Sequence, residues 1–213
     1  ENILDLEKAW EQAIKNARGK SQKVIIEEFI DFDLEITLLT IKQKNNSTIF
    51  CDPIGHEQSN GDYQSSWQPA NIKIDQLKKA KTIAKQITDN LGGEGLFGVE
   101  FFIAGNEVIF SELSPRPHDT GLVTIISQEL NEFELHLYAI LGLPLPDKIH
   151  SETSSSRVIL SSKSIKDVAY SGIDKALLNN QTKVLLFGKP NAKKGRRMGV
   201  ALAKGKDMQQ ARL

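Results

Sequence analysis

Hydrophobic residues recur at helical spacing in several parts of the chain. The stripe that begins at Leu6 predicts an amphipathic helix over Asp5–Ala17, and similar stripes predict helices over Ile74–Leu91 and Glu132–Leu141. Glycine follows the last two stripes directly, which is typical of the end of a helix. Shorter patterns predict helices near Asp174–Leu178 and from about Asp207.

Runs rich in β-branched and aromatic residues predict strands between these helices. The runs are Val24–Ile30, Leu34–Lys42, Ser47–Cys51, Gly98–Ile103, Glu107–Leu113, Arg157–Ser161, Lys183–Phe187 and Gly199–Ala203. The polar stretch Asp52–Pro69 has neither period, so it predicts a long loop, and loops of this length are commonly functional. Runs of strands interleaved with helices favour an α+β fold with a mixed sheet.

A domain boundary is predicted at Leu143–Ser156, which is rich in proline, serine and charge. We expect one domain over residues 1–145 and a small β-rich domain over residues 155–213. The sequence starts at Glu1, just before a helical pattern, and ends at Leu213 inside another. We therefore expect a piece of a longer protein.

Composition argues against several classes of partner. The 213 residues are 25% charged with a formal net charge of +0, so no general attraction to nucleic acid or to a membrane surface is expected. No apolar run reaches the roughly 18 residues of a membrane helix. The single cysteine, Cys51, cannot form an internal disulfide, which agrees with a cytoplasmic location.

Two acids stand among apolar neighbours in the two strands of a predicted hairpin, Glu100 in the first and Glu112 in the second. An ionised carboxylate on a mostly buried sheet is costly unless it is paired or binds a metal. Mg²⁺ prefers oxygen ligands and typically takes one or two carboxylates together with substrate phosphates. The pattern is equally compatible with two acids that face solvent, because half-exposed sheets carry acids routinely.

The loop after this hairpin, Ser114–Gly121, reads SPRPHDTG and combines two prolines with a cation, an imidazole, an acid and hydroxyls. Proline fixes the backbone angle φ, so such a loop is stiff and suits the positioning of polar groups. An ordinary rigid turn is the alternative interpretation.

With this loop, Glu100 and Glu112 resemble the metal-binding hairpin of ATP-grasp enzymes. The loop itself is similar to that of the formate-dependent phosphoribosylglycinamide formyltransferases of purine synthesis. The resemblance runs from about Val24 to Ala203, through the motifs EITLLT, GHxQxxGDYxxSWQP, GLFGVE, FSExSPRPHDTG and LFGKP…RRxGVALA. It implies an ATP-grasp large lobe, an antiparallel sheet with helices, followed by a small β-rich C-terminal domain.

The resemblance also implies the nucleotide and metal sites. Glu100 and Glu112 would hold Mg²⁺ on the phosphates of ATP. The adenine would lie along Glu27, Glu28, Phe29 and Ile30. Glu35 would bind the ribose, since a carboxylate accepts two hydrogen bonds from a diol. Without the family, these acids are compatible with solubilising charges at a strand edge.

The remaining implied residues concern the second substrate. Arg116 would steady the transferring phosphoryl group, and Asp119 would bind the glycinamide end. Lys189, Arg196 and Arg197 would grip the ribose phosphate, for which forked arginine donors are suited. A solvated run of basic residues is the alternative for this part of the chain.

The implied reaction is the ATP- and formate-dependent formylation of 5′-phosphoribosylglycinamide in a cytoplasmic homodimer that uses Mg²⁺. No glycine-rich phosphate loop occurs in the sequence, so we expect a C-terminal fragment that lacks the ATP lid and is inactive alone. Two alternatives stay open. One is another ATP-grasp ligase, such as carboxyaminoimidazole ribonucleotide synthetase or a biotin-carboxylase-like enzyme, and the other is a non-catalytic nucleotide-binding module.

Overall fold

The computed structural model describes residues 3–17, 23–59 and 61–212, and the chain divides into two compact units, residues 1–31 and 32–213. The first unit contains helix α1 (Ile3–Asn16), close to the predicted bounds. Leu6 and Trp10 of its apolar stripe are about half exposed.

The prediction of a strand over Val24–Ile30 is wrong, because residues 23–30 have no regular secondary structure. A strand needs a hydrogen-bonded neighbour, and none of the described strands pairs with this segment. Its apolar side chains stay largely exposed, including Ile25 and Phe29. The apolar pattern therefore reflects contacts that this unit does not make by itself.

The second unit is built on one antiparallel sheet. Its strands are β1 (Leu34–Lys42), β2 (Thr48–Phe50), β3 (Ile54–Ser59), β4 (Asp62–Gln68), β5 (Gly95–Ala104), β6 (Glu107–Ser114), β7 (Ser154–Leu160), β8 (Thr182–Leu186) and β9 (Arg197–Lys204). The order across the sheet is β6-β5-β1-β3-β4-β7-β9-β8, and β2 pairs with β1. The sheet thus continues without a break from the β5–β6 hairpin into the last three strands.

Short connections and a few helices complete this unit. The helices are α2 (Ile74–Leu91), α3 (Thr124–Ser127), α4 (Glu132–Leu141), α5 (Ile173–Ala176) and α6 (Met208–Ala211), and a 3₁₀ helix covers Asp119–Val123. Helix α4 starts where the Asn131 side chain accepts two backbone N–H groups, and it ends at Gly142 in the left-handed conformation. Among the residues described, no helix has the length and apolar character that a membrane crossing requires.

Different helices cover the two faces of the sheet, because side chains alternate along each strand. On one face Leu38 of β1 packs in the same cluster as Ala84 of α2. On the other face Leu39 packs with Leu135 of α4. Toward the start of β1 this second face becomes polar, and the loop that follows β6 lies there.

The predicted loop Asp52–Pro69 contains strands β3 and β4, so that prediction is wrong. The buried side chains of these strands are largely polar, among them Ser66 and Gln68. Burial of these two side chains is possible because they find partners, as when Ser127 Oγ donates to Gln68 Oε1 at 2.6 Å. Because the buried positions of these strands are largely polar, the pattern of hydrophobic residues does not indicate them.

The fold class is confirmed as α+β, with a large antiparallel sheet and helices on its faces. Strand β7 pairs with β4 and extends the sheet into the C-terminal part. The division into domains over residues 1–145 and 155–213 stays a prediction.

Candidate active site

A β-bulge brings the two acids of the hairpin together. Glu100 faces Glu112 because the ladder shifts by one residue at this point, so that two residues of β6 oppose one residue of β5. Two pairs bracket the bulge: Phe101–Phe110 on the turn side and Val99–Leu113 on the far side. In an unbroken ladder Glu112 would pair with Val99 and would lie on the opposite face of the sheet from Glu100.

The two acids form a cluster with His118, in which one possible ligand atom of each residue lies within 4.8 Å of the others. His118 Nε2 is 2.9 Å from Glu100 Oε1. Neighbouring ligands of an octahedral Mg²⁺ at about 2.1 Å lie about 3 Å apart and opposite ligands about 4.2 Å apart, so the cluster would have to contract slightly to hold such an ion. The exposed position of Glu112 leaves one side open to phosphate oxygens.

Electrostatics favour the ionised form of the buried acid. Glu100 is 7% exposed, and burial alone raises the pKa of its carboxyl group. The hydrogen bond and the charge of His118 outweigh burial, so the pKa of Glu100 lies below its ordinary value. The neighbouring Glu35 has a raised pKa, first because it is partly buried and second because Glu100 carries a negative charge.

Strand β3 places a histidine beside these acids. His56 is 3% exposed and lies directly opposite Glu35 in the register of β1 and β3. Burial lowers the pKa of His56 to about 4, so its ring is neutral at pH 7. The polar end of this sheet face therefore carries two carboxylates of the hairpin, Glu35 and one neutral imidazole.

Hydrogen bonds from two strands hold the loop after β6 against the sheet. Thr120 Oγ1 donates to Thr37 Oγ1 of β1 at 2.8 Å, and its carbonyl accepts from Ser66 Oγ of β4 at 2.8 Å. Ser66 also lies 3.0 Å from the Tyr63 hydroxyl, which contacts Ser156 of β7. A buried polar network thus joins the loop to the strands of the C-terminal part.

The backbone of the same loop rests on two close contacts. A Cβ added to Gly98 of β5 would lie 2.9 Å from the Cβ of His118, so the loop packs directly on this glycine. Glu132, the first residue of α4, is fully buried, and its Oε2 accepts the His118 N–H at 2.7 Å. Burial raises the pKa of Glu132 to about 8.

Residues of the C-terminal part reach this loop from the other side. Arg197, at the start of β9, forms an ion pair with Asp119 through Nη1 and Oδ2. Lys189 Nζ donates to the Arg197 carbonyl at 2.7 Å, and burial followed by the nearby arginines lowers its pKa. Arg196 is exposed, and its Nη1 donates to the carbonyl of Asn191 at 2.7 Å.

The structure thus brings Glu100, Glu112, Asp119, Lys189 and Arg197 to the two sides of one loop. Arg116 and Arg196, in the same unit, make hydrogen bonds elsewhere.

Arg116 is exposed, and its Nη1 donates to the Pro117 carbonyl at 3.1 Å. The segment predicted to hold adenine, 27–30, belongs to the first unit, where its first three side chains are exposed and Ile30 is half-buried.

The sequence alone assigns no role to His56 or His118, and nothing in it marks Glu132. His118 stands in a motif that was recognised, but its partner Glu100 is distant in sequence. An acid in the first turn of a helix is ordinarily an exposed partner of the helix dipole, so nothing in the sequence marks Glu132 as buried.

A cavity of about 550 Å³ lies elsewhere, beside Tyr138, Lys148 and His150. None of the candidate residues lines it. The candidate residues therefore lie outside that cavity.

Comparison with known proteins identifies the family of the chain. The model of the ATP-grasp domain matches residues 1–133, and the model described as PurT, C-terminal, matches residues 154–213. A formate-dependent phosphoribosylglycinamide formyltransferase of Prochlorococcus marinus is 70% identical over 208 residues, which are 98% of this chain and 53% of that protein. The chain spans about half the length of the curated relatives that it matches.

Solved structures share the fold. Glycinamide-RNase-transformylase T from Mycobacterium tuberculosis is 33% identical with a TM-score of 0.72, over 87% of this chain and 54% of that one. N5-carboxyaminoimidazole synthetase from Staphylococcus aureus, in complex with ADP, has a TM-score of 0.82 over 98% of this chain and 53% of that one, but at 24% identity it shows the fold alone. The match to the ATP-grasp domain covers more than half of the residues and includes the hairpin, its acids and the loop, and the chain therefore belongs to the ATP-grasp family.

Proposed function

We propose that this chain, together with the further length found in its relatives, uses ATP and formate to formylate 5′-phosphoribosylglycinamide. One observation carries the proposal: adjacent residues of one loop contact the two groups of residues that the reaction would need. His118 belongs to the carboxylate cluster, and Asp119 pairs with Arg197 of the C-terminal part. The curated relatives at 61–70% identity, named for this reaction, support the same assignment.

The first step would join formate to the γ-phosphoryl group of ATP. A formate oxygen attacks the phosphorus, the bond to the β-phosphate oxygen breaks, and formyl phosphate and ADP form. Glu100 and Glu112 would hold Mg²⁺, which neutralises charge on the phosphates. Glu35 would bind the ribose and Glu27, Glu28, Phe29 and Ile30 the adenine. Arg116, whose guanidinium is exposed, would steady the transferring group.

In the second step the glycinamide amine would attack the carbonyl carbon of formyl phosphate. The amine loses a proton, and phosphate leaves with the electron pair of the broken carbon–oxygen bond. Asp119 would orient the amine end, and Lys189, Arg196 and Arg197 would bind the ribose phosphate. In this structure Arg197 is already paired with Asp119, so the guanidinium is held at the loop before the substrate arrives.

Carboxyaminoimidazole ribonucleotide synthesis is the second candidate function, favoured by the 26% identity, with a TM-score of 0.77, to carboxyaminoimidazole ribonucleotide synthase from Aspergillus clavatus. That reaction would use bicarbonate in place of formate. The two candidates are separated by measuring which of the two anions the ATP turnover of the complete protein requires. A homodimer and a division into domains over residues 1–145 and 155–213 belong to the same proposal.

The test of the proposed function uses the complete protein and two variants. Glu112→Gln should abolish ATP turnover while binding of 5′-phosphoribosylglycinamide stays measurable, and Glu107→Gln, an exposed acid of the same strand, is the matched control. Arg196→Ala should raise KM for the ribonucleotide strongly, because it removes binding common to the ground and transition states. Turnover that needs bicarbonate rather than formate would overturn the proposal, and an unchanged KM in Arg196→Ala would remove that residue from it.

A further inference from the structure

Glu132 lies beneath the loop that carries both sites and has no place in the reaction described above. Its side chain is fully buried, so it cannot touch a substrate. Its Oε2 accepts the backbone N–H of His118 at 2.7 Å. Its own N–H donates to Thr124 Oγ1 at 2.9 Å, and that hydroxyl donates to the Gly121 carbonyl at 2.6 Å. The residue is thereby bonded to both ends of the segment 118–121.

Steric contact ties the same carboxyl group to the loop. A Cβ added to Gly121 would lie 2.2 Å from Glu132 Oε2 and 2.6 Å from its Cδ, far inside van der Waals contact. The carboxyl therefore fills the space where any other residue at position 121 would place its side chain. The loop and the carboxyl group fit against each other with no room for either to shift.

The segment 118–121 carries two side chains that make separate contacts. The ring of His118 lies 2.9 Å from Glu100 in the carboxylate cluster, and the next residue, Asp119, pairs with Arg197. Consecutive side chains of an extended or turning backbone diverge, so one backbone anchor sets the direction of both. Moving the His118 N–H would displace the imidazole from the cluster and Asp119 from the arginine together.

We infer that Glu132 is a positioning residue. It holds the loop in the conformation in which His118 completes the metal cluster and Asp119 is placed to bind the ribonucleotide. The inference deepens the proposed function and rests on it for the ribonucleotide. The essential element is an acceptor oxygen at the position of Oε2. Removing a residue that orients a metal ligand without touching the metal typically lowers metal affinity by about 10–100-fold.

The first readout is Mn²⁺ affinity of the chain itself, measured by the loss of the free-ion signal in electron paramagnetic resonance. We expect the affinity for Mn²⁺ to fall about tenfold or more in Glu132→Ala and in Gly121→Ala. The second variant keeps the Glu132 carboxyl group, but its added methyl group pushes that carboxyl group away from the loop. Glu132→Gln keeps an acceptor oxygen and should stay within about twofold of the original chain. Leu135→Val, a buried change one turn along α4, is the control for lost stability and should also leave the affinity unchanged.

The second readout is binding of 5′-phosphoribosylglycinamide to the complete protein. Glu132→Ala should lose both metal and ribonucleotide affinity, whereas Glu112→Gln loses the metal alone and Arg197→Ala the ribonucleotide alone. This double loss is a signature that general destabilisation, seen in Leu135→Val, does not produce.

Several results would overturn the inference. Unchanged Mn²⁺ affinity in both Glu132→Ala and Gly121→Ala would do so, and so would a Glu132→Gln variant as impaired as Glu132→Ala. If Glu132→Ala does not fold, Gly121→Ala and Glu132→Gln still decide the question. A complete protein that binds no ribonucleotide would refute the proposed function, while the Mn²⁺ measurement would still judge the role of Glu132.

Discussion

Replacing Glu112 by glutamine should stabilise the chain when no metal is present and should remove its response to metal. The ligand atoms of Glu100 and Glu112 lie within 4.8 Å of each other, so two carboxylates repel at this distance. Glutamine has nearly the same shape but no charge. The substitution therefore removes a repulsion that only a cation, or the nearby His118, offsets in the original chain.

The magnitude follows from the distance. Two like charges 4.8 Å apart repel by about 0.9 kcal/mol at the dielectric constant of water and by about 3.5 kcal/mol at an effective value of 20. Glu112 is exposed, so the lower figure applies. For a domain of this size, 1 kcal/mol corresponds to a shift of about 2–4 °C in the melting temperature.

The assay is thermal unfolding by calorimetry, with EDTA and with MgCl₂. In EDTA, Glu112→Gln should melt about 2–4 °C above the original chain. A metal present at ten times its dissociation constant stabilises the folded state by about 1.4 kcal/mol. This stabilisation should occur in the original chain and in the control Glu107→Gln, but not in Glu112→Gln. A Glu112→Gln variant that melts no higher in EDTA, or that Mg²⁺ still stabilises, would refute the reasoning from the shared cluster.

Three further predictions concern binding and stability. Arg197→Ala should raise KM for 5′-phosphoribosylglycinamide in the complete protein by about 10–100-fold with little change in kcat. The reason is that a hydrogen bond to a charged group contributes about 1.5–3 kcal/mol. An equal fall in kcat would place the residue in the chemical step instead. Because burial raises the pKa of Glu132 from 4.5 to about 8, the folded state retains a proton that the unfolded state releases, and the free energy of unfolding should fall as pH rises from 6.5 to 8. The slope is at most about 1.4 kcal/mol per pH unit and falls to about half of that at pH 8. Urea unfolding should show that this contribution is lost in Glu132→Gln. Below pH 6.5 the lowered pKa of His56 changes the stability in the opposite direction. Tyr63→Phe should lower stability by about 1–2 kcal/mol in the same assay, because the buried hydroxyl contacts two serines, whereas Tyr170→Phe loses only a 3.4 Å contact and should cost less.

Helices with a strong apolar period could be predicted closely from the sequence. The predicted bounds Ile74–Leu91 and Glu132–Leu141 are the bounds of α2 and α4. A helix of this kind buries one face, and the spacing of its apolar residues reports that face directly. The strands β3 and β4 could not be found in the same way, because their buried side chains are largely polar. Ser66 and Gln68 of β4 are satisfied by hydrogen bonds that arise only when distant segments meet.

The candidate site was likewise predictable only in part from the sequence. The residue types of the hairpin and its loop indicate metal and phosphate chemistry, and the resemblance assigns them roles. Whether Glu100 and Glu112 share a face is a different matter, since alternation along a regular hairpin places them on opposite faces. The bulge that reverses this is a property of the paired strands.

By itself, the sequence determined the local elements with a clear period, the family, and the set of acids and cations available for chemistry, because these depend on residue type and short spacing. Only the tertiary structure decided which of them meet. The one-residue shift between β5 and β6 joins the two acids, β9 brings Arg197 to Asp119, and α4 places a buried carboxyl under the loop. The physical reason is that none of these contacts follows from residue type and short spacing alone. The bulge depends on the register of two paired strands, and the approach of β9 and α4 to the loop depends on how they pack against the sheet.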